Sequence, residues 1–137
     1  MSRKRVLILC TGNSARSQMA EGLLRNMAGD RFEVFSAGTK PMGLNPNAVK
    51  ALREIGIDIS GHRSKSVDEF AGQSFDCVIT VCDNAREACP YFPGGGVRIH
   101  HSFADPAAVP AADQFPLFQR VRDEIKGWLE EFIRNGS

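Results

Sequence analysis

Four cysteines stand in the 137-residue chain, at Cys10, Cys77, Cys82 and Cys89. The first is followed by residues suited to holding an anion. The stretch Cys10-Thr11-Gly12-Asn13-Ser14-Ala15-Arg16-Ser17 links a continuous apolar run to a helical pattern. Gly12 permits a tight backbone path, so that the N–H groups of Thr11, Gly12, Asn13, Ser14, Ala15 and Arg16 can converge on a tetrahedral oxyanion. A helix N-terminus adds partial positive charge, and Arg16 offers a planar fork of donors. The same field favours thiolate over thiol, which makes Cys10 a candidate nucleophile. Ser17 can donate a hydrogen bond to that thiolate, and Asn13 can bond across the loop and hold its shape. A cysteine that merely ends a buried strand would be a core thiol; the arginine six residues on, with Gly, Asn and two Ser between strand and helix, makes a site the better reading. No Gly-Lys-Ser/Thr follows, so a Walker-type nucleotide loop is not met.

Cys82 and Cys89 enclose six residues and precede Pro90. As two turns of helix they would lie roughly 10.5 Å apart, whereas a disulfide needs Cα atoms within about 4.4–6.8 Å. The segment is therefore irregular, or it unwinds when oxidised. A zinc pair usually has tighter spacing and needs two more ligands, and the adjacent His100 and His101 would face opposite sides of a strand. A static disulfide conflicts with a reducing compartment. Of the three, a redox relay fits best. Cys77 alternates with Phe75, Ile79 and Val81 and reads as an inert core thiol. Asp105-Pro106 is most often only a turn, but a carboxyl group there can act as general acid if its surroundings keep it protonated.

The elements that must position these groups follow from periodicity. Residues 5–10 read as a strand buried on both faces, followed by a helix from about Ser17 to Ala28. Phe32, Val34 and Ser36 alternate in a second strand over 32–36, ended by Gly38. Asn45-Pro46 predicts a capped helix with Ala48, Val49, Leu52 and Ile55 inward and Gly56 as its stop. A weaker helix covers Val67–Phe70. Strands are expected at Phe75–Val81 and Val97–His101, and a closing helix from about Pro116 to Arg134. The order β-α-β-α-α-β-β-α implies one α/β domain over 1–137, a four-stranded and largely parallel sheet with helices on both faces. Ligands of such sheets bind beyond the carboxyl ends of the strands, where Cys10 and Cys82 both lie.

Apolar residues make up 42% of the chain and charged residues 24%, with 17 basic against 16 acidic side chains. A net charge of +1 provides no field for nucleic acid or an anionic membrane. The apolar run Val6–Cys10 after the basic start is too short for a signal sequence or a membrane span. A cytoplasmic location is expected.

Cys10 to Ser17, Gln18-Met19-Ala20-Glu21, Ser36-Ala37-Gly38, the Cys82/Cys89 pair, Asp105-Pro106 and Phe118 to Ile125 together resemble the thioredoxin-coupled arsenate reductases, which share the fold of low-molecular-weight protein tyrosine phosphatases. The resemblance runs over essentially the whole chain. It implies a monomer with no bound cofactor or metal that reduces arsenate, with phosphate or sulfate as analogues and thioredoxin as external reductant. By the same resemblance Cys10 attacks arsenate held by Arg16 and the loop amides. Asp105 is the acid for the departing oxygen, Cys82 attacks Cys10, and Cys89 then takes over the disulfide. The runner-up implied by the same loop is a tyrosine phosphatase using Cys10, Arg16 and Asp105. Such enzymes usually carry a tyrosine soon after the Asp-Pro, whereas Ala107, Ala108 and Val109 stand here. Some members hold potassium on an Asn, a Glu, a Ser and an Asp. Asn13, Glu21 and Ser36 match three of these, but Lys65 stands where the Asp is expected. A cation would be repelled there, which implies that Lys65 supplies the charge itself.

Overall fold

A computed structural model describes residues 3–83 and 96–135. Among them are β1 (Lys4–Cys10), α1 (Arg16–Ala28), β2 (Phe32–Gly38), α2 (Pro46–Arg53), a 3-10 helix (Val67–Phe70), β3 (Cys77–Thr80), β4 (Val97–His100) and α3 (Ala111–Arg134). The strands form one sheet in the order β2-β1-β3-β4, and every pairing is parallel. Val6, Leu7, Ile8 and Leu9 of the central β1 are wholly buried, as expected of a strand covered on both sides.

One side of the sheet carries α1 and α3. Phe32 of β2 packs on Phe132 of α3, with ring centroids 5.5 Å apart, and the Ser36 hydroxyl donates to Glu21 of α1. The opposite side is closed by an edge-to-face cluster of Phe35, Phe70 and Phe75, the middle one from the 3-10 helix. The Arg5 guanidinium lies 5.0 and 4.7 Å from the centroids of Phe35 and Phe75, a cation–π contact that seals the cluster against solvent.

Local chemistry explains where the elements start and stop. The Asn45 side chain accepts from the Asn47 N–H at 2.8 Å, and Pro46 opens α2. Gly56, at φ +84°, ends it: Gly56 N–H donates to Arg53 and Ile57 N–H to Leu52, the paired bonds of a Schellman turn. Ile55, expected in the buried stripe, lies beyond the helix and is 39% exposed. Arg122 takes an inward place on α3 instead, donating to the Ala51 carbonyl and to Glu54, both at 2.9 Å. It thereby ties the end of α2 to α3. The closing helix starts five residues before the predicted Pro116, which sits inside it. Pro116 and Ala112, whose carbonyl loses its usual donor, are both exposed, so water can satisfy that carbonyl.

β2 extends two residues past Ser36, because Ala37 and Gly38 pair with Leu9 and Cys10. β3 is shorter than predicted, although Asp76 and Val81 still donate to Arg5 and Leu9 of β1. These alignments bring the anion loop, residue 82 and residues 101–105 to one edge of the sheet.

Candidate active site

The loop between β1 and α1 closes around the Cys10 sulfur. Asn13 N–H donates to Sγ at 3.2 Å, and the Ser17 hydroxyl lies 2.9 Å away. Cys10 is 2% exposed. The left-handed turn that makes this possible falls on Asn13, at φ +47°, and not on Gly12 as the sequence suggests. Asparagine tolerates that conformation better than other side-chain-bearing residues because its amide can bond locally. Here its Oδ1 accepts from Lys65 N–H at 2.8 Å, and its Nδ2 donates to Ser17 and Ser36 at 2.8 and 2.9 Å. Gly12 serves a close contact: its carbonyl accepts from the Met42 N–H, and the Met42 side chain lies over its Cα.

Gly38 is a second necessity that sequence reasoning treated only as a strand end. A Cβ there would fall 2.5 Å from the Thr11 carbonyl oxygen and 2.8 Å from Asn13 N. The end of β2 thus forms the floor over which the loop passes. Arg16 opens α1, and the cap residue before it is Ala15, which has no side-chain acceptor for the first-turn N–H groups. Those donors and the helix dipole are left for an anion. The Arg16 guanidinium is aimed by the Phe103 carbonyl at 3.1 Å and lies 3.9 Å from Asp105 Oδ2. Asp105 is at once the expected turn residue, its Oδ1 accepting from Ala107 N–H, and a wall of the cleft. That cleft, about 270 Å³, is lined by Cys10, Gly12, Arg16, Met42, Asp105 and Ala107 among others.

Cys82 follows β3 by two residues and is buried, its sulfur 3.3 Å from the Thr11 hydroxyl. Two thiols therefore meet one loop. Cys89 lies outside the described residues. Cys77 is elsewhere: it pairs with Val6, four positions back from Cys10 along β1, so it is about 13 Å away along the strand direction. Burial, helped by Asp76, pushes its thiol up to about 11.

His100 and His101 do face opposite ways. His100 bridges Thr80 and Asp83 at 2.7 and 2.9 Å, while the His101 ring packs against Phe103 and Trp128. Among the described residues no three His, Cys, Asp or Glu side chains cluster as metal ligands would. No helix among them is long and apolar enough to cross a membrane. The Lys65 ammonium lies 3.9 Å from Glu21 Oε1, with Arg25 at 2.6 Å from Oε2. Burial holds Lys65 below the usual amine range, with Glu21 opposing that shift.

A parallel sheet whose first strand-to-helix loop wraps a cysteine and an arginine around an anion-sized space defines a phosphatase-like class. The chain belongs to the low molecular weight phosphotyrosine protein phosphatase family, whose model matches residues 5–135. Within that class it belongs with the arsenate reductases. It is 46% identical to the arsenate reductase of Halalkalibacterium halodurans and 47% identical to that of Bacillus licheniformis, in both cases over 100% of each chain. Among solved structures, an arsenate reductase in the oxidized state superposes with TM-score 0.82 at 29% identity, covering 98% of this chain and 99% of that one. A low molecular weight protein tyrosine phosphatase from T. tengcongensis gives 0.79 at 29%, covering 96% and 99%. A thioredoxin-dependent arsenate reductase from Corynebacterium glutamicum gives 0.78 at 29%, covering 97% of this chain and 61% of that one.

Proposed function

We propose that this chain reduces arsenate to arsenite through Cys10, Cys82 and Cys89 and is regenerated by thioredoxin. The observation that carries the reading is the second thiol at the loop, Cys82 beside the hydroxyl of Thr11. A phosphatase needs only the first. Full-length relatives named arsenate reductase, and the similarity to a thioredoxin-dependent one, agree with it.

In this reading the amides of Thr11, Gly12, Ser14, Ala15 and Arg16 and the Arg16 fork bind arsenate, or phosphate and sulfate in its place; the Asn13 N–H, expected among these donors, points at the Cys10 sulfur instead. Ser17 and Asn13 steady the Cys10 thiolate, which attacks arsenic while Asp105 protonates the oxygen that leaves as water. Cys82 then attacks the Cys10 sulfur. The arsenic–sulfur electron pair stays on arsenic, which departs as arsenite two electrons richer, and a Cys10–Cys82 disulfide remains. Cys89 attacks Cys82, releasing the Cys10 thiolate, and thioredoxin's dithiol reduces the Cys82–Cys89 bond. The protein works as a cytoplasmic monomer without a resident metal or cofactor.

The test is arsenate-dependent NADPH oxidation with thioredoxin and thioredoxin reductase, wild type beside Cys82→Ser and Cys89→Ser. Multiple turnover in the wild type alone is expected, with Cys89→Ser stopping after one arsenite per chain. No turnover in any, with brisk aryl phosphate hydrolysis by all three, would make the protein a phosphatase.

A further inference from the structure

The hydrogen bonds behind the loop have only one consistent direction, and it starts at Arg25 and His62. A shallow cleft of about 210 Å³ between α1 and residues 56–62 holds both side chains. Arg25 Nη1 lies 3.3 Å from His62 Nε2. A guanidinium can only donate, so Nε2 must be the bare nitrogen and the imidazole proton must sit on Nδ1. His62 Nδ1 lies 3.0 Å from Gln18 Oε1, which it therefore donates to.

The other end of the Gln18 amide agrees. Its Nε2 faces the backbone carbonyls of Arg63 and Asn13 at 2.9 and 3.2 Å and Asn13 Oδ1 at 3.1 Å, all acceptors. Gln18 is wholly buried, so an Oε1 without a donor could not turn to water instead. The Gln18 amide thus grips both the main chain and the side chain of Asn13, the residue in the left-handed turn. Asn13 N–H points at Cys10 Sγ, and Asn13 Nδ2 donates to Ser17. With its lone pair so engaged, the Ser17 hydroxyl is free to give its proton to the sulfur.

We propose that Arg25 and His62 are positioning residues for Cys10: Arg25 selects the imidazole tautomer that donates to Gln18, and Gln18 holds Asn13 in the conformation that aims an N–H and, through Ser17, an O–H at the sulfur. The inference rests on the reading of Cys10 as the nucleophile but does not depend on arsenate as the substrate. Neither residue touches the anion cleft; His62 reaches Asn13 through Gln18, and Arg25 does so through His62 and also pairs with Glu21, 2.6 Å away, the acceptor of the Ser36 hydroxyl.

The readout is the rate at which iodoacetamide alkylates Cys10 at pH 7, with Cys82→Ser and Cys89→Ser as the common background. His62→Leu removes the donor to Gln18, and Arg25→Met releases the choice of tautomer. Each should slow alkylation roughly tenfold, the effect of losing about one charge-assisted hydrogen bond to a thiolate. His62→Asn, which can place an amide N–H near the Nδ1 position, should stay within about threefold of the parent. The double variant Arg25→Met/His62→Leu should lose less than the two single losses combined, because along the Gln18 path the two act in series. Arg25 is half-exposed, so Arg25→Met remains informative even where His62→Leu fails to fold. Alkylation at the parent rate in a folded Arg25→Met or His62→Leu chain would overturn the proposal, as would losses that simply add. If this pattern holds while the wild-type chain, with Cys82 and Cys89 intact, reduces no arsenate, the proposed activity fails and this inference stands.

Discussion

At the scale of single residues, two thiols of one small protein are given opposite characters by their surroundings. Cys10 receives an N–H and faces a hydroxyl at the mouth of a helix, whereas Cys77 sits inside a strand with burial and a neighbouring carboxylate against its ionisation. With a thiol pushed up to about 11, the thiolate fraction of Cys77 at pH 8 is on the order of one in a thousand. Mass mapping after iodoacetamide at pH 8 should therefore find Cys77 unmodified in the native protein and fully modified in denaturant. Rapid native labelling would contradict the burial described. Lys65 supports a second prediction. Its ammonium already faces Glu21 next to Asn13 and Ser36, so a potassium ion there would meet a like charge. Turnover in sodium-only buffer should match that in potassium within about twofold, since no differential contact favours either ion. A large potassium-specific activation would sink this idea.

At the scale of elements, the anion loop is shaped as much by the end of β2 as by its own residues. Gly38 pairs with Cys10, donates to the Lys65 carbonyl, and leaves room for Thr11 and Asn13 to pass. In Gly38→Ala the added methyl meets backbone on both sides, so the loop must shift; overpacking of this kind costs about 1–3 kcal/mol. A lower Tm together with slower Cys10 alkylation is expected, and an unchanged alkylation rate would show that the loop does not depend on this floor. None of this is visible in a sequence pattern, which marks Gly38 only as a place where a strand stops. The pattern did carry the parallel order of the elements, the Asn45-Pro46 cap and the Gly56 stop, because each rests on a preference local to a few residues. It misplaced the start of α3 because Pro116 is tolerated one turn into an exposed helix end, and it put Ile55 inward because the Gly56 turn ends α2 first. The candidate site divides in the same way. Cys10, Arg16, Ser17 and Asp105 could be named from residue type and spacing. Phe103 aims Arg16 through a backbone carbonyl 87 residues away, and Gln18 grips Asn13 only five residues back through an amide oriented by His62, 44 residues on; residue type and spacing hold no signal for either role.

At the scale of the whole molecule, the polar groups that fix the loop also link its chemistry to stability. His62 sits between α1 and the segment leading to Lys65. Burial of its ring, with Arg25 and Lys65 beside it, outweighs the attraction of Glu21 and Asp58 and holds its pKa below the usual 6.5. The unfolded chain therefore takes up the proton more readily than the folded one, and protonation favours unfolding. The stability contributed by neutral His62 is complete above pH 6.5 and is lost as pH falls from there through the lower folded value. The lowered carboxyl groups act in a separate window. Hydrogen bonds, chiefly from Gln119 to Glu54, Ser60 to Asp58 and Arg63 to Glu69, keep all three below their ordinary values of 4.5 and 3.8. Their contribution survives until the pH falls below that range. Between pH 7.5 and 5.5 these three carboxyl groups add little to the slope of stability, and the share due to His62 is the difference between the wild type and His62→Asn. Urea unfolding in chloride buffers, free of oxyanions that would bind the loop, should show the wild type losing stability across this interval and His62→Asn losing clearly less, because asparagine does not titrate. Parallel losses in the two proteins would mean that His62 is protonated as easily folded as unfolded.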